Sequence, residues 1–269
     1  MNEPLRLNHL FRVVDAATFA AARDCSWLRD VFAPSELRTT RRPDWEYTGL
    51  YWYGTSTYIE LFESGAQGPP GTSGIAFGLE TAGATAAVAD TWREALGDAE
   101  HRLVVRPFGA DLVPWFHIAH ASPDQRDGLK LWSMEYHADF LAAWHPARTA
   151  ARGITRTDVL ERYAVVSPGP ASPLLDDVTT VTIACTPSER GFFERHMSAF
   201  AADARDAGAS GIITGDGITF GLTEATDARH GIQEIVCRLR RKVDREIIDI
   251  GRSTITVDRD RMVWKFRDQ

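Results

Sequence analysis

The chain has 269 residues, a net charge of −7, and 44% hydrophobic and 25% charged residues, which suits a globular protein of one large or two medium domains. The acidic balance argues against sequence-independent nucleic-acid binding, and no stretch approaches the roughly 20 apolar residues that span a bilayer. Three scattered cysteines, Cys25, Cys185 and Cys237, argue against a disulfide framework, and MNEPLRLNHL lacks the basic and apolar regions of a signal peptide, so a cytoplasmic location is expected.

The first element, LNHLFRVVD, reads as a strand carrying His9. Asp15 is an acceptable N-cap for the helix-like AATFAAARDCSWLRDVF, whose Phe19, Ala22, Trp27 and Val31 fall roughly on one face. ELRTTRRPDWEYTGLYWYGT reads as extended, and TYIELFES closes the group with a strand carrying Glu60. The Gly/Pro linker 64–74 follows. A second copy of the pattern opens with GIAFGLE and continues with the helix ATAAVADTWREALG, stopped by Gly97. Its three strands are HRLVVRPFG, VPWFHIAHA and GLKLWSMEYHADFL. A longer connection holds the short helix TRTDVLERYA and a Pro/Gly/Ser-rich tail near 167–173.

A third copy opens with VTTVTIAC. Thr186, Pro187 and Glu189 then form a capping box for the helix PSERGFFERHMSAFAADA, and GIIT and GITFGLTEA close the copy. The fourth opens with GIQEIVCRLRRKV and lacks its helix, because DREIIDIGRSTITVDRDRMVWKF reads as three short strands. The expected fold is α+β: four tandem β(α)βββ modules paired into two cupped, incomplete barrels, with helices on the convex faces. The expected domains are 1–166 and a smaller, degenerate barrel at 174–269.

The chain resembles the vicinal oxygen chelate superfamily, the glyoxalase and bleomycin-resistance-like fold. NHLFRVVD, TGLYWYGTSTYIELFE and SGIAFGLET carry the resemblance, which covers most of 5–145 and, more loosely, 175–267. It implies a divalent metal inside the cup, held by first and last strands of paired modules. His9 and Glu60 match those positions in module one. In module two the first-strand position falls on Gly74, where metal-binding relatives carry histidine, and the last-strand position falls on Glu135. The implied metal set is therefore His9, Glu60 and Glu135, with water, substrate, His137 or His117 as a fourth ligand. Zn, Fe, Mn, Co and Ni all suit such donors. In copy four the corresponding positions are Gln233 and Glu234.

The implied activity is that of a metal enzyme stabilising an enolate or oxyanion of a small hydroxy-carbonyl or aromatic metabolite. Glu135 or Glu60 would shuttle the proton, with His137 as the back-up. Isomerase, lyase and Fe(II) dioxygenase chemistry all remain open. The alternative is a metal-free binding or drug-sequestering protein. Its cup would draw on the aromatic cluster Trp45, Tyr47, Tyr51, Tyr53, Tyr58, Trp115, Phe116 and Trp132. Tyr51, Tyr53, Tyr58, Trp115, His117 and Arg38 are the candidate ligand contacts.

Each residue also has a plainer account. His9 would be a satisfied core histidine and Glu60 a solvated strand residue, although Ile59 and Leu61 on the opposite face of that strand argue for burial. Glu135, Tyr136 and His137 would be a hydrogen-bond network anchoring the loop to Trp144. His117 and His120 would be solvated. The aromatics would simply pack a core, and Arg38, Arg41 and Arg42, whose functional reading is to greet an anionic substrate, would instead guard a strand edge. The expected partner is a small molecule, with no nucleic acid and no membrane, in a monomer or homodimer.

Overall fold

The computed structural model describes residues 4, 6–42, 45–65, 67–108, 111–121, 128–143, 153–198, 205–206, 211–213 and 216–267. Module one comprises β1 (Arg6–Val14), α1 (Ala16–Asp24), β2 (Ser35–Arg42), β3 (Trp45–Tyr53) and β4 (Tyr58–Glu63). Module two comprises β5 (Ser73–Gly78), α2 (Ala84–Leu96), β6 (Ala99–Phe108), β7 (Asp111–Ala121) and β8 (Leu129–Tyr136). In each module the last strand lies parallel to the first. The two first strands pair antiparallel. The result is an eight-stranded sheet ordered β2-β3-β4-β1-β5-β8-β7-β6, the paired-module arrangement of the glyoxalase-like fold.

The local signals explain these elements. Asp15 caps α1 by accepting from the Thr18 amide at 2.9 Å. The helix stops at Cys25, and a π-helical turn, Leu28–Phe32, carries the rest of that stretch. Gly97 ends α2 in a left-handed conformation, φ +87°, with its amide bonded to Arg93 O, a backbone state that costs glycine little. The strand expected at GLKLWSMEYHADFL ends at Tyr136. ADFLAA turns instead into the short helix α3 (Ala138–Ala143). The connection then forms α4 (Arg156–Val166), with a Thr155–Asp158 capping box.

Module three comprises β9 (Leu175–Cys185), α5 (Pro187–Ser198), β10 (Arg205–Asp206), β11 (Gly211–Ile213) and β12 (Thr219–Glu224). Its helix has the expected Thr186–Glu189 capping box. Module four lacks its helix as expected, but it has two long strands where short ones were read. They are β13 (Gly231–Ile250) and β14 (Ser253–Phe266), paired antiparallel. Strand β13 outruns its neighbour β9 after the pair Leu239–Leu175. Beyond that point residues 240–249 are largely exposed, so the charges of RRKVDRE interrupt the hydrophobic pattern without breaking the strand. The second sheet runs β10-β11-β12-β9-β13-β14.

The first sheet is built from β1–β8 and the second from β9–β14, and one hydrophobic core joins them. Leu10, Ile59, Ile75 and Phe77 from the first sheet lie in the same cluster as Val181, Ile183, Ile232 and Trp264 from the second. Trp52 meets Trp264 edge to face at 5.4 Å. Arg12, only 1% exposed, reaches from β1 to donate to the carbonyls of His230 and Ile232. Asp177 of β9 accepts from the amides and hydroxyls of Ser56 and Thr57, fixing the turn between β3 and β4. No helix among the described residues is long and apolar enough to cross a membrane.

One core residue makes the fold acid-sensitive. His196 of α5 is fully buried, its ring centroid 3.7 Å from that of Trp92, and neither ring nitrogen has a hydrogen-bond partner among the described residues. Burial pushes it down to about 3. The unfolded chain therefore takes up a proton below the ordinary histidine value of about 6.5 that the native state refuses. This stability is complete above that pH and is lost as pH falls through the window. His9 acts with the same sign, whereas the raised Glu60 carboxyl acts with the opposite one, so the two offset between about pH 4.5 and 6.5. The expected net loss at pH 5 is about 2 kcal/mol. Urea unfolding at pH 7 and pH 5 should show it, and His196→Phe should remove most of the difference. An unchanged pH difference in that variant would refute the assignment.

Candidate functional site

Strand alternation decides which side chains reach the cup of the first sheet. On β4, Tyr58, Glu60 and Phe62 face inward, while Ile59 and Leu61 enter the shared core. Directly opposite residues share a face, so the pairs His9–Tyr58 and Phe11–Glu60 put His9 and Phe11 inside. The same register places Tyr51 and Tyr53 of β3, and Arg38 of β2, on that face. From module two come Lys130, Trp132, Met134 and Tyr136 of β8 and Phe116, Ile118 and His120 of β7. Tyr163 of α4 stacks on Tyr53, with centroids 4.9 Å apart, and closes one end.

The resulting cavity has a volume of about 650 Å³. Eleven of its lining residues are aromatic, and they include all six tyrosines of the chain. A core built only for packing has no reason to draw every phenol to one place, because a buried hydroxyl costs free energy until it is paired. Arg38 lies over the Tyr51 ring at 4.0 Å. It also contacts Glu36 Oε2 at 3.4 Å, the same oxygen that accepts from Tyr53 Oη at 2.9 Å.

His9 and Glu60 sit together at the base of this cup, with His9 Nε2 3.9 Å from Glu60 Oε1. Both are buried. The His9 ring stacks on Tyr58 at 4.4 Å, meets Trp132 edge-on at 5.3 Å, and has Nδ1 2.8 Å from Asn8 Oδ1. Burial pushes His9 down to about 3, and Arg38 pushes the same way. Burial lifts Glu60 to about 8 against the pull of Arg38. Burial thus favours the uncharged form of both groups.

Glu135 is not brought to this pair. It lies on the opposite face of β8, with Leu129, Leu131 and Ser133, and points at α2. Its carboxylate accepts from the Gly83 amide at 2.7 Å, the Thr85 amide at 3.1 Å and the Thr85 hydroxyl at 2.8 Å. Gly83, the N-cap of α2, has no side chain to cap with, and Glu135 takes over that duty. His117 is paired with Glu135 across the strands and shares its outer face. His117 stacks on His101 at 5.4 Å and neighbours His137 at 5.7 Å, and the His137 Nδ1 accepts from the Asp139 amide at 3.2 Å. The proton-shuttle role for Glu135 and His137, and the ligand contact at His117, thus have no place in the cup.

The remaining expectations divide in the same way. Tyr51, Tyr53, Tyr58, Trp115 and Arg38 all line the cavity. Trp115 does so through a bulge, because Val104 pairs with Phe116 and Val105 with Pro114, leaving Trp115 the extra residue. His120 lines it too, and its Nε2 is 3.1 Å from Glu100. Arg41 is exposed and paired with Glu46. Gln233 donates to the carbonyls of His230 and Gly231, and Glu234 pairs with Lys265. Trp144 and the side chains of Arg42 and Trp45 lie outside the described residues.

The donor set does not fit a catalytic divalent metal, which takes about three protein ligands and an open position. Module one supplies two, and the matching inward positions of module two are Gly74, Ala76, Trp132 and Met134. A Cβ on Gly74 would collide with the Phe11 ring, so phenylalanine occupies the space a third ligand would need. Among the described residues no group of three or more His, Cys, Asp or Glu is placed to hold a metal. Sequence reasoning missed Tyr136, Tyr163, Lys130 and Arg102 as cavity residues. The available signal was that every tyrosine but Tyr163 falls in the strands of modules one and two.

No curated protein matches the sequence. Among solved structures, a Mn(II)-bound glyoxalase from Novosphingobium aromaticivorans is similar over 95% of this chain and 78% of its own, at 9% identity and a TM-score of 0.45. Methylmalonyl-CoA epimerase from Mycobacterium tuberculosis covers 51% of this chain and 91% of its own, at 18% identity and a TM-score of 0.31. A xylose isomerase-like TIM barrel/4-hydroxyphenylpyruvate dioxygenase fusion protein covers 86% and 36%, at 13% identity and a TM-score of 0.42. These neighbours are enzymes by their descriptions, but such scores assign this chain neither their activities nor their metals. A family model matches residues 7–266, and the chain belongs to that family of unknown function, DUF5829.

Proposed function

We propose that the chain is a metal-free binding protein for a planar aromatic small molecule, held in the cup of the first sheet. The observation that carries this reading is the cavity wall: eleven aromatic side chains, with all six tyrosines among them, around about 650 Å³. That volume suits a ligand of two or three fused rings. Stacking on tyrosine and tryptophan faces supplies affinity, and phenol hydroxyls supply polar contacts. The metal-enzyme reading needed His9, Glu60 and Glu135 in one place, and Glu135 caps α2 on the far side of the sheet.

The test is elemental analysis of protein expressed with added Zn, Fe, Mn, Co and Ni and purified without chelator. The expected result is no stoichiometric transition metal. About one equivalent, lost in His9→Ala and in Glu60→Ala, would overturn the reading.

A further inference from the structure

The cup has a charge asymmetry that its aromatic wall does not explain. Among the described residues three basic side chains line it, Arg38, Arg102 and Lys130, against one carboxyl, that of Glu60. Even with Glu60 ionised the cations are in excess, in a chain whose net charge is −7. Arg102 is exposed at the rim, and Lys130 Nζ bonds Gln67 O at 3.1 Å. Arg38 lies deeper, flat over Tyr51, and its one carboxylate contact among the described residues is the 3.4 Å approach to Glu36. A guanidinium carries five donors in a fixed fork that matches a carboxylate two by two. Here the fork lies beside Tyr51 and Tyr53, where an aromatic ring would stack.

We propose that the ligand is an aromatic carboxylic acid, its carboxylate held by Arg38 and its rings by the tyrosine and tryptophan faces. This rests on the reading of the cup as an aromatic binding site and adds the charge and anchor of its ligand. Arg102 and Lys130 draw the anion toward the mouth.

Three probes of one shape separate the charge from the stacking: 2-naphthoate, 2-naphthalenemethanol and 2-naphthylmethylamine. Each is titrated against the full chain by quenching of Trp115 and Trp132, both of which line the cavity. The acid is expected to bind at least about tenfold more tightly than the alcohol, and the amine most weakly. Arg38→Gln should abolish the preference for the acid while leaving alcohol binding, which doubles as the check on folding. Arg41→Gln, outside the cavity, should change nothing. Equal affinity for acid and alcohol in the parent protein would overturn the carboxylate assignment without any variant and leave the aromatic site standing. So would an acid preference that survives Arg38→Gln. No quenching by any of the three would instead sink the aromatic site itself, and the carboxylate with it.

Discussion

Arg12→Ala is expected to lower the unfolding free energy by about 3–5 kcal/mol. The guanidinium is buried between the two sheets, pushed down to about 10 by that burial, and lies 4.9 Å over the Phe266 ring. It donates to the carbonyls of His230 and Ile232, where β13 begins. Alanine would take the Arg12 donor from the Ile232 carbonyl, leave the His230 carbonyl with Gln233 as its side-chain donor, and open a cavity in the core shared by the sheets. Arg12→Met refills the volume but not the donors, so it should cost less, about 1–3 kcal/mol. Urea denaturation of the three proteins gives the comparison. A parent-like midpoint for Arg12→Ala would show that the sheets are held together elsewhere.

Glu135→Ala is expected to destabilise the fold by about 2–3 kcal/mol, because three donors at the start of α2 lose their acceptor. Glu135→Gln keeps an oxygen acceptor and should lose less. The variant also discriminates between roles. As a helix cap, Glu135 affects stability alone, so the affinity for an aromatic probe measured below the unfolding range should match the parent's. A stable Glu135→Ala protein that no longer binds the probe would return Glu135 to the site.

The sequence was readable where one face of a strand differed from the other. In TYIELFES, Ile59 and Leu61 mark the core face, so Glu60 had to turn inward with Tyr58 and Phe62. Capping signals placed α1 and α5 for the same local reason, a side-chain oxygen three residues from the amide it accepts. In LKLWSMEY the signal failed. Leu129 and Leu131 on one face are matched by Trp132, Met134 and Tyr136 on the other, so alternation could not tell cup from core. Glu135, matched to the last-strand position by the resemblance alone, bonds the start of α2. The bulge at Trp115 and the arrival of Tyr163 from the α4 connection are set by tertiary packing, which no local pattern reports. The β13–β14 hairpin was read short because a strand projecting past its sheet no longer needs an apolar face.

The most direct test of the central claim, that the cup binds by its aromatic wall and not through a metal, is one titration run twice. Tryptophan quenching by 2-naphthoate is measured in excess chelator and again in excess Mn²⁺. The structure predicts the same dissociation constant in both, since among the described residues no third donor joins His9 and Glu60. Binding that appears only with the metal, and vanishes in His9→Ala, would contradict it.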